Sequence, residues 1–173
     1  MVKAFTLGLS NIKTAAVPSA GTMPPDTDLT QLGLTNENSA VLNMEVPEET
    51  EFRAEEKDDP VLVSKKAGAV TVEFDLMNPS PEDMVTLMGG TASKSEQSLT
   101  DNDQWEPPTD VPNIELAVKV TPKQGFGIAI PRASITATFG GTYTKTELVL
   151  VHVVAKVLAP TGTNVKRFKL FKV

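Results

Sequence analysis

The stretch Val70-Thr71-Val72-Glu73-Phe74-Asp75-Leu76 decides the fold class. Apolar residues fall at every second position with polar ones between them, the pattern of a strand that buries one face and shows the other to water. The same period recurs along the chain. Ala40, Leu42, Met44 and Val46 alternate with Val41, Asn43 and Glu45; Ile114, Leu116, Val118 and Val120 with Glu115, Lys119 and Thr121; Ala133, Ile135, Ala137 and Phe139 with Ser134, Thr136 and Thr138. Shorter candidates are Val2 to Leu7, Ile12 to Val17, Val61 to Ser64, Phe126 to Ile130 and Val165 to Phe171. The sequence therefore predicts an all-β fold, a β-sandwich or barrel of roughly eight to ten strands in a single domain over 1–173.

Two departures from plain alternation are informative. The run Thr146 to Leu158 is apolar at both parities, with Val149, Val151, Val153, Ala155 and Val157 on one side and Leu148, Leu150, Val154 and Leu158 on the other. Such a strand must be covered twice: either it lies between two layers, or its second face meets another subunit. The second departure is a helix over about 80–89. Ser80 is an N-cap, Pro81 stands at the first helical position and Asp83 completes a capping box. Met84, Val85, Leu87 and Met88 form the apolar stripe, and Gly89-Gly90 ends it. Long loops are expected at about 18–38, 46–60 and 90–113, where proline, glycine and short polar residues replace the periodic pattern.

Of the 173 residues none is cysteine, so disulfide and thiolate metal chemistry are excluded and redox logic leaves the compartment open. The apolar N-terminal stretch is interrupted by Asn11 and Lys13 and reads as a strand of the mature protein instead of an export signal. No run is long enough to span a bilayer, so the expectation is a soluble chain without membrane insertion. The formal net charge of −6 argues against a groove that grips nucleic acid by phosphate neutralisation. That charge is concentrated: Glu45 to Asp59 holds eight acids, including Glu48, Glu49, Glu51, Glu55 and Glu56, against Arg53 and Lys57. At the other end Lys166, Arg167, Lys169 and Lys172 make a basic strand. Two readings fit this segregation, contact between copies or two separate solvated surfaces.

Catalysis needs a nucleophile, a base and an orienter, or a metal cluster, and the sequence supplies no recognisable set. His152, the only histidine, lies in the valine-rich run with no serine or acid motif attached and reads as structural. Asp101-Asn102-Asp103 starts like a calcium loop, but Trp105 and Glu106 follow where a ligand and a turn glycine are required. No catalytic residue, metal or cofactor is expected, and a small hydrolase built on His152 is the disfavoured alternative. Trp105, in a proline-rich loop, is either a contact anchor or ordinary loop packing.

The order of features resembles the major tail tube proteins of tailed bacteriophages. The resemblance runs from an N-terminal strand pair through Thr30-Gln31-Leu32-Gly33-Leu34-Thr35-Asn36-Glu37-Asn38-Ser39, then a strand entering the acidic Pro47-Glu48-Glu49-Thr50-Glu51-Phe52-Arg53-Ala54-Glu55-Glu56. It continues through the Gly68 turn, the strand Ala69 to Met77 and the helix Ser80 to Met88. It covers roughly the first half of the chain; the second half matches as generic strand pattern.

The resemblance implies a virion structural protein, assembled in the host bacterial cytoplasm into hexameric rings that stack into the tail tube, the conduit for DNA delivery. It implies a fold shared with the inner tubes of contractile injection and type VI secretion systems. Implied partners are further copies of the chain, a tape-measure protein, and tail terminator or baseplate proteins; DNA passes through without specific binding. On this plan Val46 to Pro60 reaches the next ring, and Glu48, Glu49, Glu51, Glu55, Glu56, Trp105, Lys166, Arg167 and Lys169 are contact candidates. Thr71, Glu73, Asp75, Ser134, Thr136 and Thr138 are candidates for the channel wall, where a neutral or acidic lining lets phosphates slide; a solvated outer surface is the other reading of the same residues. The alternatives are the inner tube protein of a phage-derived injection device, or a monomeric extracellular β-sandwich that binds a ligand.

Overall fold

A computed structural model describes residues 5–96 and 100–173 and is all-β with one short helix. Residues 2–4 of the expected first strand lie outside the described residues. The main sheet contains eight strands, all paired antiparallel. In spatial order it runs β2 (Thr30–Gln31), β1 (Leu7–Ala16), β9 (Ile114–Gln124), β10 (Phe126–Gly140), β11 (Leu150–Val157), β6 (Val70–Leu76) and β3 (Val41–Met44), with β12 (Lys169–Lys172) also paired to β10. Two further hairpins stand apart from it, β4 (Glu48–Phe52) with β5 (Leu62–Lys66) and β7 (Thr91–Ser93) with β8 (Gln104–Glu106). The helix α1 spans Pro81–Met88.

Residues 30–36 draw the two ends of the sheet together. Leu32 donates its N–H to Ile12 on β1, while Asn36 donates to Asp75 and Leu34 accepts from Met77 at the end of β6. The inward parities of the strands then share one core, in which Phe74 is 1% exposed and Leu76, Ile130, Val151 and Val153 are fully covered. β6 buries Val70, Val72, Phe74 and Leu76 as its alternation predicts.

The expected strands Phe126 to Ile130 and Ala133 to Phe139 are one strand with a bulge. Ile130 pairs Val118 and Ala133 pairs Leu116, so two intervening residues on β10 oppose one on β9. Pro131 sits at this point, where a missing N–H is tolerated. The extra residue flips the buried parity from Ile128 and Ile130 to Ala133 and Ile135. It also divides the far edge of β10: the first part pairs β12, the second β11.

α1 is set by the sequence's own capping. The Ser80 hydroxyl accepts the Asp83 N–H at 3.1 Å, and the Asp83 carboxylate accepts the Ser80 N–H at 3.0 Å. The helix lies against β9 and β10 and buries Leu87, with Met84 and Met88 packed beside it. It stops where Gly89 and Gly90 take φ of 76° and 90°, and a Cβ on Gly90 would collide with the Glu106 carbonyl. Ser80→Ala is expected to lower unfolding free energy by about 1 kcal/mol in a denaturant titration.

Several segments differ from expectation. The N-terminal strand pair is one strand, β1, bulged between Leu9 and Asn11 and paired to β9. The segment expected as a loop at 46–60 forms β4 and the tip of a hairpin whose return strand is β5. The segments at 18–38 and 90–113 hold β2 and the β7–β8 hairpin. The strand at Ala40 to Val46 is an edge with both parities exposed, so its alternation does not mark a buried face.

Candidate assembly surfaces

Three surfaces stand out. The first is the outward face of β6, β11 and β10. Register places Thr71, Lys156 and Ser134 in one cross-strand row, Glu73, Val154 and Thr136 in the next, and Asp75, His152 and Thr138 in a third. All six residues predicted for a channel wall therefore share one face, with Lys156, Val154 and His152 of β11 between them. The first row continues to Glu115 on β9. Glu115 accepts two guanidinium bonds from Arg132, at 2.7 and 2.8 Å. Outside that neutral pair the face carries Glu73 and Asp75 against Lys156, which leaves it close to neutral.

β11 is central in the sheet, yet only one of its faces is covered by the described residues. Val151, Val153, Ala155 and Val157 are buried; opposite them Leu150 and Val154 are half-buried and His152 and Lys156 exposed. His152 Nδ1 lies 2.6 Å from Asp75 Oδ1. Sequence reading missed this partner because Asp75 is 77 positions away and is brought in only by the β6–β11 register. The Asp75, His152, Thr138 row carries the residue types of a hydrolase triad, but it lies on an outward strand face with His152 and Thr138 exposed, outside the cavities of about 700 and 560 Å³.

The second surface is the arm formed by β4 and β5. Every residue of both strands is exposed, and β4 pairs only with β5. Glu49 pairs with Lys65 at 2.5 Å, Glu48 with Lys66 at 3.9 Å, and Glu51 with Arg53 at 2.7 Å. The acidity expected along the whole segment is thus partly neutralised by the return strand and survives mainly at the tip, in Glu55, Glu56, Asp58 and Asp59 against Lys57. Just below the tip Phe52 and Leu62 face each other across the hairpin, 52% and 60% exposed, with Val61 and Val63 also open to water.

The third surface is basic and lies at the C-terminal segment. Lys166 and Lys169 are exposed beside half-buried Val165, Phe168 and Phe171. Arg167 donates to the Gly68 carbonyl at 3.3 Å, which ties this segment to the root of the arm. Trp105 belongs to none of the three: its indole N–H donates to the Gly89 carbonyl at 2.9 Å, fastening the β7–β8 hairpin to the end of α1.

Three carboxyl groups are held below their ordinary range: Glu115 by the Arg132 guanidinium, Asp26 by the Lys119 ammonium, and Asp103 by the Ser95 hydroxyl and N–H. A carboxyl whose pKa is depressed by folding stabilises the fold above its unfolded pKa and loses that contribution as pH falls through the folded value. The thermal midpoint is therefore expected to fall between about pH 5 and pH 3, and Glu115→Gln should flatten that slope. A midpoint independent of acid would contradict the assignment.

Among the described residues no helix is long and apolar enough to cross a membrane, and no cluster of three or more histidines and carboxylates is placed to hold a metal. A scan against protein-family models and a search of curated proteins both found no match to this chain.

Proposed function

We propose that the chain is a self-assembling structural subunit of a bacteriophage-type tail tube, joined side by side into rings that stack around a DNA channel. The observation that carries this reading is the β4–β5 arm. A lone two-stranded hairpin is at best marginal in water, and this one leaves Phe52, Val61, Leu62 and Val63 exposed, with no layer of the described residues against them. Side chains of that kind on a projecting element are what a contact with another copy would cover.

Two further features support the same reading. β3 ends the sheet as an edge with Val41, Leu42 and Met44 exposed, and β12 pairs on one side only. Open apolar edges are hazards in a monomer and bonding surfaces in a closed ring. The nearly neutral face of β6, β11 and β10 offers a wall that does not hold phosphates. On this reading the chain acts without catalysis or cofactor, in the virion tail, beside a tape-measure protein and terminator or baseplate proteins. Sedimentation at rising protein concentration tests it: the weight-average mass should climb through ring to polymer, whereas a constant monomer mass would overturn the proposal.

A further inference from the structure

Beside the basic C-terminal segment lies a groove of about 560 Å³. Its apolar lining includes Met23, Val165, Phe168 and Phe171, and Lys119, Lys166 and Lys169 rim it with Asp26. Lys119 is already engaged, with Asp26 at 2.5 Å and with the Phe171 ring, whose centroid is 4.9 Å away. Lys166 and Lys169 carry no carboxylate partner among the described residues. The groove is thus an aromatic floor with two unpaired cations at its edge.

Resting on the tube reading, we infer that this groove is the receptor for the arm of a second copy: the Phe52–Leu62 pair seats on Phe168 and Phe171, and the acidic tip meets Lys166 and Lys169. Three observations select this occupant. The arm's apolar pair lies directly below its acidic tip, and the groove's aromatic floor lies directly beside its free lysines, so one orientation satisfies both. The charges are opposite, four carboxylates against one lysine on the tip and two unpaired lysines on the rim.

A second cavity, about 700 Å³ between β1 and β3, has Lys123 and Glu37 as its charged lining groups and offers no excess positive charge to an acidic guest. The arm is long: eight residues from Val46 to Arg53, at about 3.3 Å per residue, span up to roughly 26 Å.

The chain has no cysteine, so single cysteines report contacts cleanly. Full-length Glu56→Cys and Lys169→Cys chains are mixed under mild oxidation and resolved on a non-reducing gel. The expected main product is the disulfide joining one variant to the other, which requires the two positions to approach within bonding range. Adding Lys166→Glu to the second chain, or raising salt to 1 M, where screening reaches about 3 Å, should reduce its yield severalfold.

Homodisulfides alone, a random mixture, or a cross-product indifferent to both charge reversal and salt would each overturn the docking. Microscopy of the unmodified chain in parallel separates the two claims. Tubes without the cross-product sink the docking and keep the tube reading; the cross-product without tubes sinks the tube reading and keeps the contact.

Discussion

A chain in which residues 46–68 are replaced by Asn-Gly is expected to fold normally and to remain monomeric at concentrations where the intact chain is expected to polymerise. The fold should tolerate the cut because the arm contributes nothing to the core: each residue of β4 and β5 is exposed. The root is also built for a tight turn. Met44 pairs with Val70, and Glu45 donates its N–H to the Ala69 carbonyl at 2.9 Å, so a two-residue Asn-Gly hairpin can join the strands in register. Unfolding free energy should shift by no more than about 1 kcal/mol, the scale of surface changes and of a shortened loop. Assembly should be lost outright, since the exposed Phe52, Val61, Leu62 and Val63 leave with the arm. Sedimentation and circular dichroism on the same sample check both halves; polymer formed by the truncated chain would show that the arm is not the bonding element.

The second large effect is on stability. Phe74→Ala is expected to cost about 3–5 kcal/mol, because it deletes a ring 1% exposed at the centre of β6 and leaves a cavity among side chains held by strands on every side. For a domain of this size that is on the order of 10 °C in thermal midpoint. Thr138→Ala, on the outward face of β10, is the matched control and should stay within about 0.5 kcal/mol. Similar losses from the two substitutions would mean that the outward face supports the fold as strongly as the core does, which would contradict its assignment as a free wall.

The contrast between these two positions also shows what alternation reveals. In β6 each second residue is buried because both flanking strands hold its register, and the sequence pattern reports that directly. In β3 the same pattern misleads, because an edge strand with no layer over it exposes both parities. α1 was legible to the residue: its cap, its proline and its terminal glycines are local devices that act within one turn.

The arm was not legible as a hairpin. Glutamate and lysine disfavour strands, and its two strands are separated by the charged run Arg53 to Val61 that carries none of the Asn-Gly type turn signals. What joins its strands is the backbone ladder from Glu48–Lys66 to Phe52–Leu62, to which the exposed pairs Glu49–Lys65 and Glu48–Lys66 add little, a relation between residues 10 to 18 positions apart. His152 and Asp75 were invisible as a pair for the same reason at longer range. The bulge at Pro131 had a visible cause, a proline between two strand patterns, but the continuity of β10 through it depends on β9, which spans both parts.

The candidate surfaces follow the same division. That Thr71, Glu73, Asp75, Ser134, Thr136 and Thr138 are polar parities could be read from sequence; that they form three rows on one face required the order β6, β11, β10. The basic segment Lys166 to Lys172 was visible as charge, while the aromatic groove beside it is made only when β12 pairs β10 and Met23 and Ala129 come to line the same cavity.

The most direct measurement of the central claim is negative-stain electron microscopy of the purified full-length chain over a range of concentrations and salt. Rings of uniform diameter with an open centre, stacking into tubes as concentration rises, are the predicted result; single compact particles under every condition would contradict it.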